Sequence, residues 1–201
     1  MLKEALIIFV KNPVLGTVKT RIAASVGDER ALDIYKRMLG ITRETALNVK
    51  TDRFVYYSPE IVDEDLWSNG SFQKRQQSKG DLGSKMATAF VETLTLYERS
   101  VIIGSDCPDL KALDIENAFE ALHSKDVVLG PSKDGGYYLI GLNKPQAPLF
   151  HGIPWSTSNV LRKTIEICES MQLRYGLLRE LSDIDHIEDW QQFEARTNGS
   201  Q

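Results

Sequence analysis

Short, uninterrupted apolar runs alternate along this chain with segments in which apolar residues recur every three or four positions. Ala5 to Val10 is wholly apolar, the pattern of a strand buried on both faces, and Lys11-Asn12-Pro13 ends it. Residues 11–21 read as a loop. From Asp28 to about Val49 the spacing Ala31, Ile34, Tyr35, Met38, Leu39, Thr42, Ala46 predicts a helix, with Asp28 as its N-cap. Arg53 to Tyr57 predicts a second strand and Ser71 to Gln77 a third, more exposed one, beyond an acidic loop at 60–70. A helix is expected from Gly80-Asp81-Leu82-Gly83 to about Tyr97, and a strand over Ser100–Gly104. A helix over 115–123 capped by Asp114 and a buried strand over Asp126–Gly130 come next.

Asp134-Gly135 then separates two apolar runs, the second being Tyr137 to Gly141. That pair predicts a hairpin, because tight hairpin turns need positive φ. Residues 144–157 form a proline-rich loop, a helix starts at Thr157 or Ser158 and runs to about Met171, 174–180 is a mixed segment with strand character, and a last helix covers 186–194. Strands alternating with helices imply one mainly parallel α/β sheet with a single antiparallel strand. No repeat or linker interrupts it, so residues 1–196 are expected to form one domain and 197–201 a frayed tail.

Composition narrows the function classes. The chain has 201 residues, 42% hydrophobic and 26% charged, ordinary for a globular domain with a sizeable core. The net charge of −4 supplies no general attraction to nucleic acid or anionic membranes, so positive charge must be gathered locally. Cys107 and Cys168 lie in no CxxC pair, which argues against zinc and suits reduced thiols. No run approaches the ~20 apolar residues of a membrane helix. The N-terminal apolar run is too short for a signal peptide. The expected location is cytoplasmic.

Five segments carry candidate chemistry. Ser105-Asp106-Cys107-Pro108-Asp109 directly follows the apolar run Val101–Gly104. A carboxylate at the carboxyl end of a strand in an open α/β sheet is placed to hold Mg²⁺ or Mn²⁺; the alternative is an ordinary Asx-Pro turn. Lys11, Lys19 and Arg21 crowd the first βα loop around Gly16, an arrangement suited to a diphosphate, or else a solvated basic loop holding nearby carboxylates. It lacks the adjacent Gly-Lys of a P-loop. Gly80-Asp81-Leu82-Gly83 opens a helix and either admits a ligand to free backbone N–H groups or simply caps the helix through Asp81. The Asp134-Gly135-Gly136-Tyr137 turn either meets a hydroxyl-bearing ligand through Asp134 or is a bare hairpin. Near the end, Asp183 or Asp185 is a second metal ligand, unless Asp185 and Glu188 merely form a capping box. Trp155 suits a sugar-stacking surface or the core. Cys107, flanked by carboxylates, is a poor nucleophile.

Taken in order, Lys11-Asn12-Pro13, Gly16 to Arg21, Gly80–Gly83, Asp106-Cys107-Pro108-Asp109-Leu110, Gly130-Pro131 with Asp134 to Gly141, Trp155-Ser156-Thr157 and Asp183-Ile184-Asp185 resemble the cofC-like glycosyltransferase family. That family is also described as rSAM/selenodomain-associated or arsenosugar-biosynthesis transferases. The resemblance covers nearly the whole chain. It implies a GT-A-type nucleotide-diphospho-sugar transferase fold, with the sheet flanked by helices on both faces, related to 2-phospholactate and molybdenum-cofactor guanylyltransferases. It further implies that Lys11, Gly16, Lys19 and Arg21 hold nucleotide phosphates and that Gly80, Asp81, Leu82 and Gly83 lie near the base. Asp106 and Asp185 would bind the metal, and Asp134, Gly135, Gly136, Tyr137 and Trp155 would face a small-molecule acceptor. The sequence departs from the relatives in Leu15, which replaces a common proline, and in lacking Gly-x-x-Arg-Met-Gly. It also carries Asp106-Cys107-Pro108-Asp109 in place of Asp-x-Asp. Three functions follow as expectations. The first is metal-dependent glycosyl transfer from a nucleotide sugar, with Asp106, Lys19, Arg21 and Asp134 as the catalytic groups. The second is nucleotidyl transfer releasing pyrophosphate, and the third is non-catalytic nucleotide binding.

Overall fold

A computed structural model describes residues 4–198. Strand β1 (Glu4–Lys11) is the hub of a seven-stranded sheet. On one side it pairs in parallel with β2 (Asp52–Ser58), which in turn pairs with β3 (Gln73–Gln76) at the edge. On the other side it pairs in parallel with β4 (Arg99–Ile103). Beyond β4 lie β6 (Tyr137–Leu142), β5 (Val127–Pro131) and β7 (Tyr175–Leu177), in that order. Only β6 runs against its neighbours, pairing antiparallel with both β4 and β5, as the sequence pattern implies.

The two-residue period of β1 divides the core. Leu6, Ile8 and Val10 face one cluster, Ala5 and Ile7 the other. The first cluster is covered by α1 (Thr20–Val26), α2 (Asp28–Leu47), α4 (Ala112–Ala121) and α6 (Ile187–Asn198), through residues such as Ile22, Met38, Phe119 and Trp190. The second is covered by α3 (Leu82–Leu94), a short 3-10 turn at Ala147–Phe150 and α5 (Val160–Ser170), through Met86, Phe90, Phe150 and Cys168. Cys107 and Cys168 are both free and lie in opposite clusters, on the two faces of the sheet.

Several boundaries differ from the sequence expectation for local reasons. Helix α1 begins inside the expected loop; in its seven residues only Ile22 is buried, too little apolar repeat to show a period. Asp28 is the first residue of α2, capped by Gly27, so its carboxylate acts on the helix dipole instead of capping. Asp114 sits one turn inside α4, accepts the Lys111 N–H at 2.9 Å and pairs with Arg179. Helix α5 starts at Val160, two to three residues late. In the hairpin only Gly135 has positive φ, at 89°. The Ser132 N–H reaches Gly136 O, and the Gly135 N–H reaches Ser132 O. This is a three-residue loop with glycine at its left-handed position. Helix α6 extends through Thr197 and Asn198; the rest of the expected frayed tail, 199–201, lies outside the described residues. Among the described residues no helix is long and apolar enough to cross a membrane.

Candidate active site

Chain connections run outward from β1 in both directions, so the sheet order reverses between β1 and β4. The loops leaving the carboxyl ends of these two strands must part there, opening a crevice. Tyr35 on α2 joins the two strand ends: its hydroxyl accepts from the Lys11 N–H at 3.0 Å, donates to Lys11 O at 3.0 Å and lies 3.5 Å from Ser105 Oγ. Burial raises the Tyr35 pKa to about 12, keeping it neutral.

Lys19 occupies the crevice. It precedes α1 with φ 49° and ψ 46°, a left-handed conformation that costs a non-glycine residue about 1–2 kcal/mol. Its side chain is only 8% exposed, and Nζ lies 2.8 Å from Asp106 Oδ1 and 4.0 Å from Asp185 Oδ1. Nζ also donates to Ile184 O at 2.6 Å. The strained backbone thus aims a desolvated cation at the strand-end carboxylate. Asp106 is held from below, its carbonyl accepting the Ile184 N–H at 2.8 Å, while its side chain is half exposed. Arg21 meets Asp185 at 2.7 Å on the rim, with both groups solvated, a pair worth little to stability.

The segment 181–185 closes the site from the far side of the sheet. Leu181 donates to Pro131 O and accepts from the Lys133 N–H. This brings Asp183 onto Ser132, whose hydroxyl donates to it at 2.9 Å. Asp183 has a pKa raised to about 6, chiefly by burial. The Ser132 hydrogen bond and Lys19 lower it, and the charges of Asp106 and Asp134 raise it. Asp183, Asp106 and Asp134 therefore share one field around Lys19.

These groups line a cleft of about 820 Å³ that also includes Lys11, Arg21, Gln77, Leu82, Lys85, Gly136, Tyr137, Trp155 and Asp185. Most expected site residues are thus brought together. Others are not. Gly16 lies outside the lining, with φ 74° beside the Asp28 carboxylate. Asp81 caps α3, accepting the Ser84 N–H at 2.8 Å, and Gly80 and Gly83 stay outside the lining as well. Gly83 instead makes room for the neighbouring wall: an added Cβ would lie 2.5 Å from Phe150 O and 2.7 Å from Trp155 Cζ2. Gly135 is likewise outside the lining; its Cβ would meet Ser158 O at 2.2 Å. Asp109 turns away to pair with Arg196 at 2.7 Å. Cys107 is buried, and burial with nearby carboxylates holds its thiol far above the usual range. The expected capping pair at the last helix is replaced: Asp189 accepts the Asp185 and His186 N–H groups. A separate, shallower hollow of about 530 Å³ between α2 and α4 holds none of the site residues.

Spacing gave no sign of Tyr35, Ser132, Gln77 or Lys85. Tyr35 reads as a core position of α2 and Gln77 as the end of an edge strand, since their partners lie on other elements. The donors around the cleft suit a hard cation, being carboxylates. Among the described residues, no three His, Cys, Asp or Glu side chains form a complete metal cage. Two carboxylates completed by substrate phosphates is the usual Mg²⁺ arrangement. The raised pKa of Asp183 marks a carboxylate that a bound cation would relieve.

The doubly flanked sheet with a charged cleft at its strand-order reversal is shared with solved structures of nucleotide-diphospho-sugar transferase and nucleotidyltransferase type. A solved structure from Desulfovibrio desulfuricans G20, provisionally described as a nucleotide-diphospho-sugar transferase, superposes with a TM-score of 0.86 at 29% identity, covering 93% of this chain and 84% of that one. The chain belongs to the family described as "Uncharacterized protein conserved in bacteria (DUF2064)", whose model matches residues 41–157. More distant structures share the fold. The 4-diphosphocytidyl-2C-methyl-D-erythritol synthase of Anaerococcus prevotii DSM 20548 has a TM-score of 0.58 at 13% identity, covering 94% of this chain and 92% of that one. Glucosyl-3-phosphoglycerate synthase of Mycobacterium tuberculosis, in complex with Mn²⁺, UDP and glucosyl-3-phosphoglycerate, has a TM-score of 0.53 at 10% identity, covering 90% and 71%. No curated protein matches the sequence.

Proposed function

We propose that this protein is a divalent-metal-dependent transferase that takes a nucleotide-diphospho-sugar donor and passes the sugar to a small-molecule acceptor. The observation that carries this reading is Lys19, strained and desolvated, held against Asp106 at the strand-order reversal. A buried cation beside a strand-end carboxylate is an arrangement for binding phosphate oxygens and metal together. Lys19 and Arg21 would hold the diphosphate, with Lys11 at the end of β1. Asp106 would hold the Mg²⁺ or Mn²⁺, joined by Asp183 or Asp185. Asp183 is the more strongly desolvated carboxylate and takes a hydrogen bond from Ser132, whereas Asp185 is held by Arg21. When bound, the metal supplies charge neutralisation for the diphosphate. Lys19 already stands where that charge develops and needs little reorganisation to stabilise it. Asp134, on the opposite wall with Tyr137 and Trp155, would accept a hydrogen bond from the acceptor hydroxyl. The cofC-like, arsenosugar-type assignment rests on the ordered motifs and is part of the same proposal, as is a cytoplasmic location.

One observation favours nucleotidyl transfer as a second reading. Asp109 pairs with Arg196 outside the cleft, so the 106–109 turn offers one strand-end carboxylate instead of two. Its partner would come from 183–185. A pair on adjoining segments, tied together by the Ile184 N–H to Asp106 O hydrogen bond, suits a metal that neutralises charge on the α-phosphate. Incubation with Mg²⁺, nucleoside triphosphates or nucleotide sugars, and hydroxyl- or phosphate-bearing acceptors separates the two. Acceptor-dependent release of nucleoside diphosphate supports glycosyl transfer, and release of pyrophosphate supports the second reading. Failure of every nucleotide and nucleotide sugar to bind contradicts both.

A further inference from the structure

Asp106 and the carboxylates at 183–185 come from parts of the sheet that do not adjoin. Asp106 follows β4, whereas the 181–185 segment runs beside the end of β5, and β6 lies between the two strands. Two strand spacings, roughly 10 Å, separate β4 from β5, so cross-links must draw these ends together. The Ile184 N–H to Asp106 O bond spans the gap inside the site. Arg179 spans it from outside.

The Leu178 and Leu181 N–H groups donate to Leu129 O and Pro131 O, which moors the backbone of this stretch to β5. The Arg179 side chain leaves in the other direction. Its Nε and Nη2 donate to the two oxygens of Asp114 at 2.6 and 2.7 Å, and Nη2 also reaches Asp109 O at 3.2 Å. Asp114 is only 8% exposed and also accepts the Lys111 N–H. Burial works against its charge, but the hydrogen bonds from Arg179 and Lys111 prevail and hold its pKa low. Tyr138 on β6 supplies a further tie, its hydroxyl donating to Arg179 O at 2.9 Å. Gly130 leaves room for that ring, since an added Cβ would lie 2.5 Å from Tyr138 Cζ. One residue thus links β5, β6 and the turn after β4, while Arg179, Asp109 and Asp114 all stay outside the cleft lining.

We propose that Arg179 is a positioning residue that sets the distance between Asp106 and the carboxylates at 183–185, and so the geometry offered to a divalent cation. The proposal rests on the reading of the cleft as a metal-dependent nucleotide site. A planar guanidinium bonded to both Asp114 oxygens fixes direction as well as distance. Mg²⁺ demands near-ideal octahedral coordination and is sensitive to such spacing. Groups that orient metal ligands from behind govern metal affinity by about 10–100-fold. The sign separates this role from a through-space charge effect. Removing a positive charge near a cation site strengthens cation binding, whereas loosening the ligands weakens it.

The test is calorimetric titration of the full chain with GTP, CTP, ATP and UTP, in Mg²⁺ and in chelator, for the wild type, Arg179→Gln and Arg174→Gln. Arg174 makes the same forked contact, with Asp126, at the other end of β7. In Arg179→Gln the gain in nucleotide affinity conferred by Mg²⁺ should shrink about tenfold or more, with affinity in chelator changed less than about threefold. Arg174→Gln should keep the wild-type gain, though it too loses stability in urea denaturation. An unchanged or larger Mg²⁺ gain in Arg179→Gln overturns the positioning role while the metal site stands, and so does the same loss of gain in Arg174→Gln. Should Arg179→Gln fail to fold, Arg179→Lys, which keeps the charge and loses the fork, is held to the same expectations. Absence of any Mg²⁺ gain in the wild type overturns the reading of the cleft and the proposal together.

Discussion

Lys19 concentrates several costs in one side chain: a left-handed backbone, a buried ammonium and a short contact with Asp106. Such costs persist where function holds them in place. Removing the amine in Lys19→Ala should reduce turnover by about 10²–10³-fold, the scale of losing one preorganised charge-stabilising group, with the circular dichroism spectrum retained. Asp183 carries a cost of another kind. Its pKa is raised to about 6, so the folded state binds a proton that the unfolded chain, with an ordinary carboxylate near 4, has already released. Stability contributed at this site is therefore lost as pH rises from about 4 to about 6 and stays lost above that. In chelator-treated protein, Asp183→Asn should raise stability at pH 7 by about 1–3 kcal/mol and flatten that pH slope, as read by urea denaturation across the pH range. The same substitution should weaken Mg²⁺-dependent nucleotide binding, trading function for stability. The candidate cations and Asp106 were legible in the sequence because each sits at a strand end or in the loop just after one. The desolvated setting of Asp183 was not, because its partner Ser132 lies 51 positions away.

At the scale of elements, the turn at 132–136 is pinned to the entry of α5: Gly135 O accepts the Leu161 N–H at 2.9 Å, and Ser158 O fills the space where a side chain would go. Gly135→Ala adds a Cβ against backbone at a φ of 89° and should destabilise the fold by about 2–4 kcal/mol through strain and overpacking together. Thermal denaturation checks this, and the loss should exceed that of Gly27→Ala, where positive φ meets open space. The hairpin and every strand left a trace in the sequence, since runs such as Ala5–Val10 and Val127–Gly130 are buried on both faces and need no partner to be recognised. Helix α1 did not, because its one buried side chain makes no period. The two glycine-bearing turns were visible as turns, but the reason for the glycines was not. Gly83 and Gly135 yield space to Trp155 and Ser158, residues whose proximity exists only once β6 and α5 have docked.

For the whole molecule, the strand order places β1 between two outward-running halves of the sheet. Residues from the first loop, the end of β4, the hairpin and the segment before α6 thereby converge on one cleft from four distant stretches of chain. The fold class was readable from alternating strand and helix signals, and the reversal point follows from the order once β4 is paired with β1. Which carboxylate joins Asp106 was not readable, because Asp183 and Asp185 are equivalent by spacing and differ only in what surrounds them. The central claim is that Asp106 and Lys19 together create a metal-dependent phosphate site. It is tested most directly by calorimetric titration of GTP and CTP, with and without Mg²⁺ or Mn²⁺, into the wild type and Asp106→Asn. The account predicts that at least one nucleotide binds the wild type, that chelation weakens that binding at least about tenfold, and that Asp106→Asn removes the metal dependence. Tight nucleotide binding indifferent to both metal and Asp106→Asn, or no binding under any of these conditions, would contradict it.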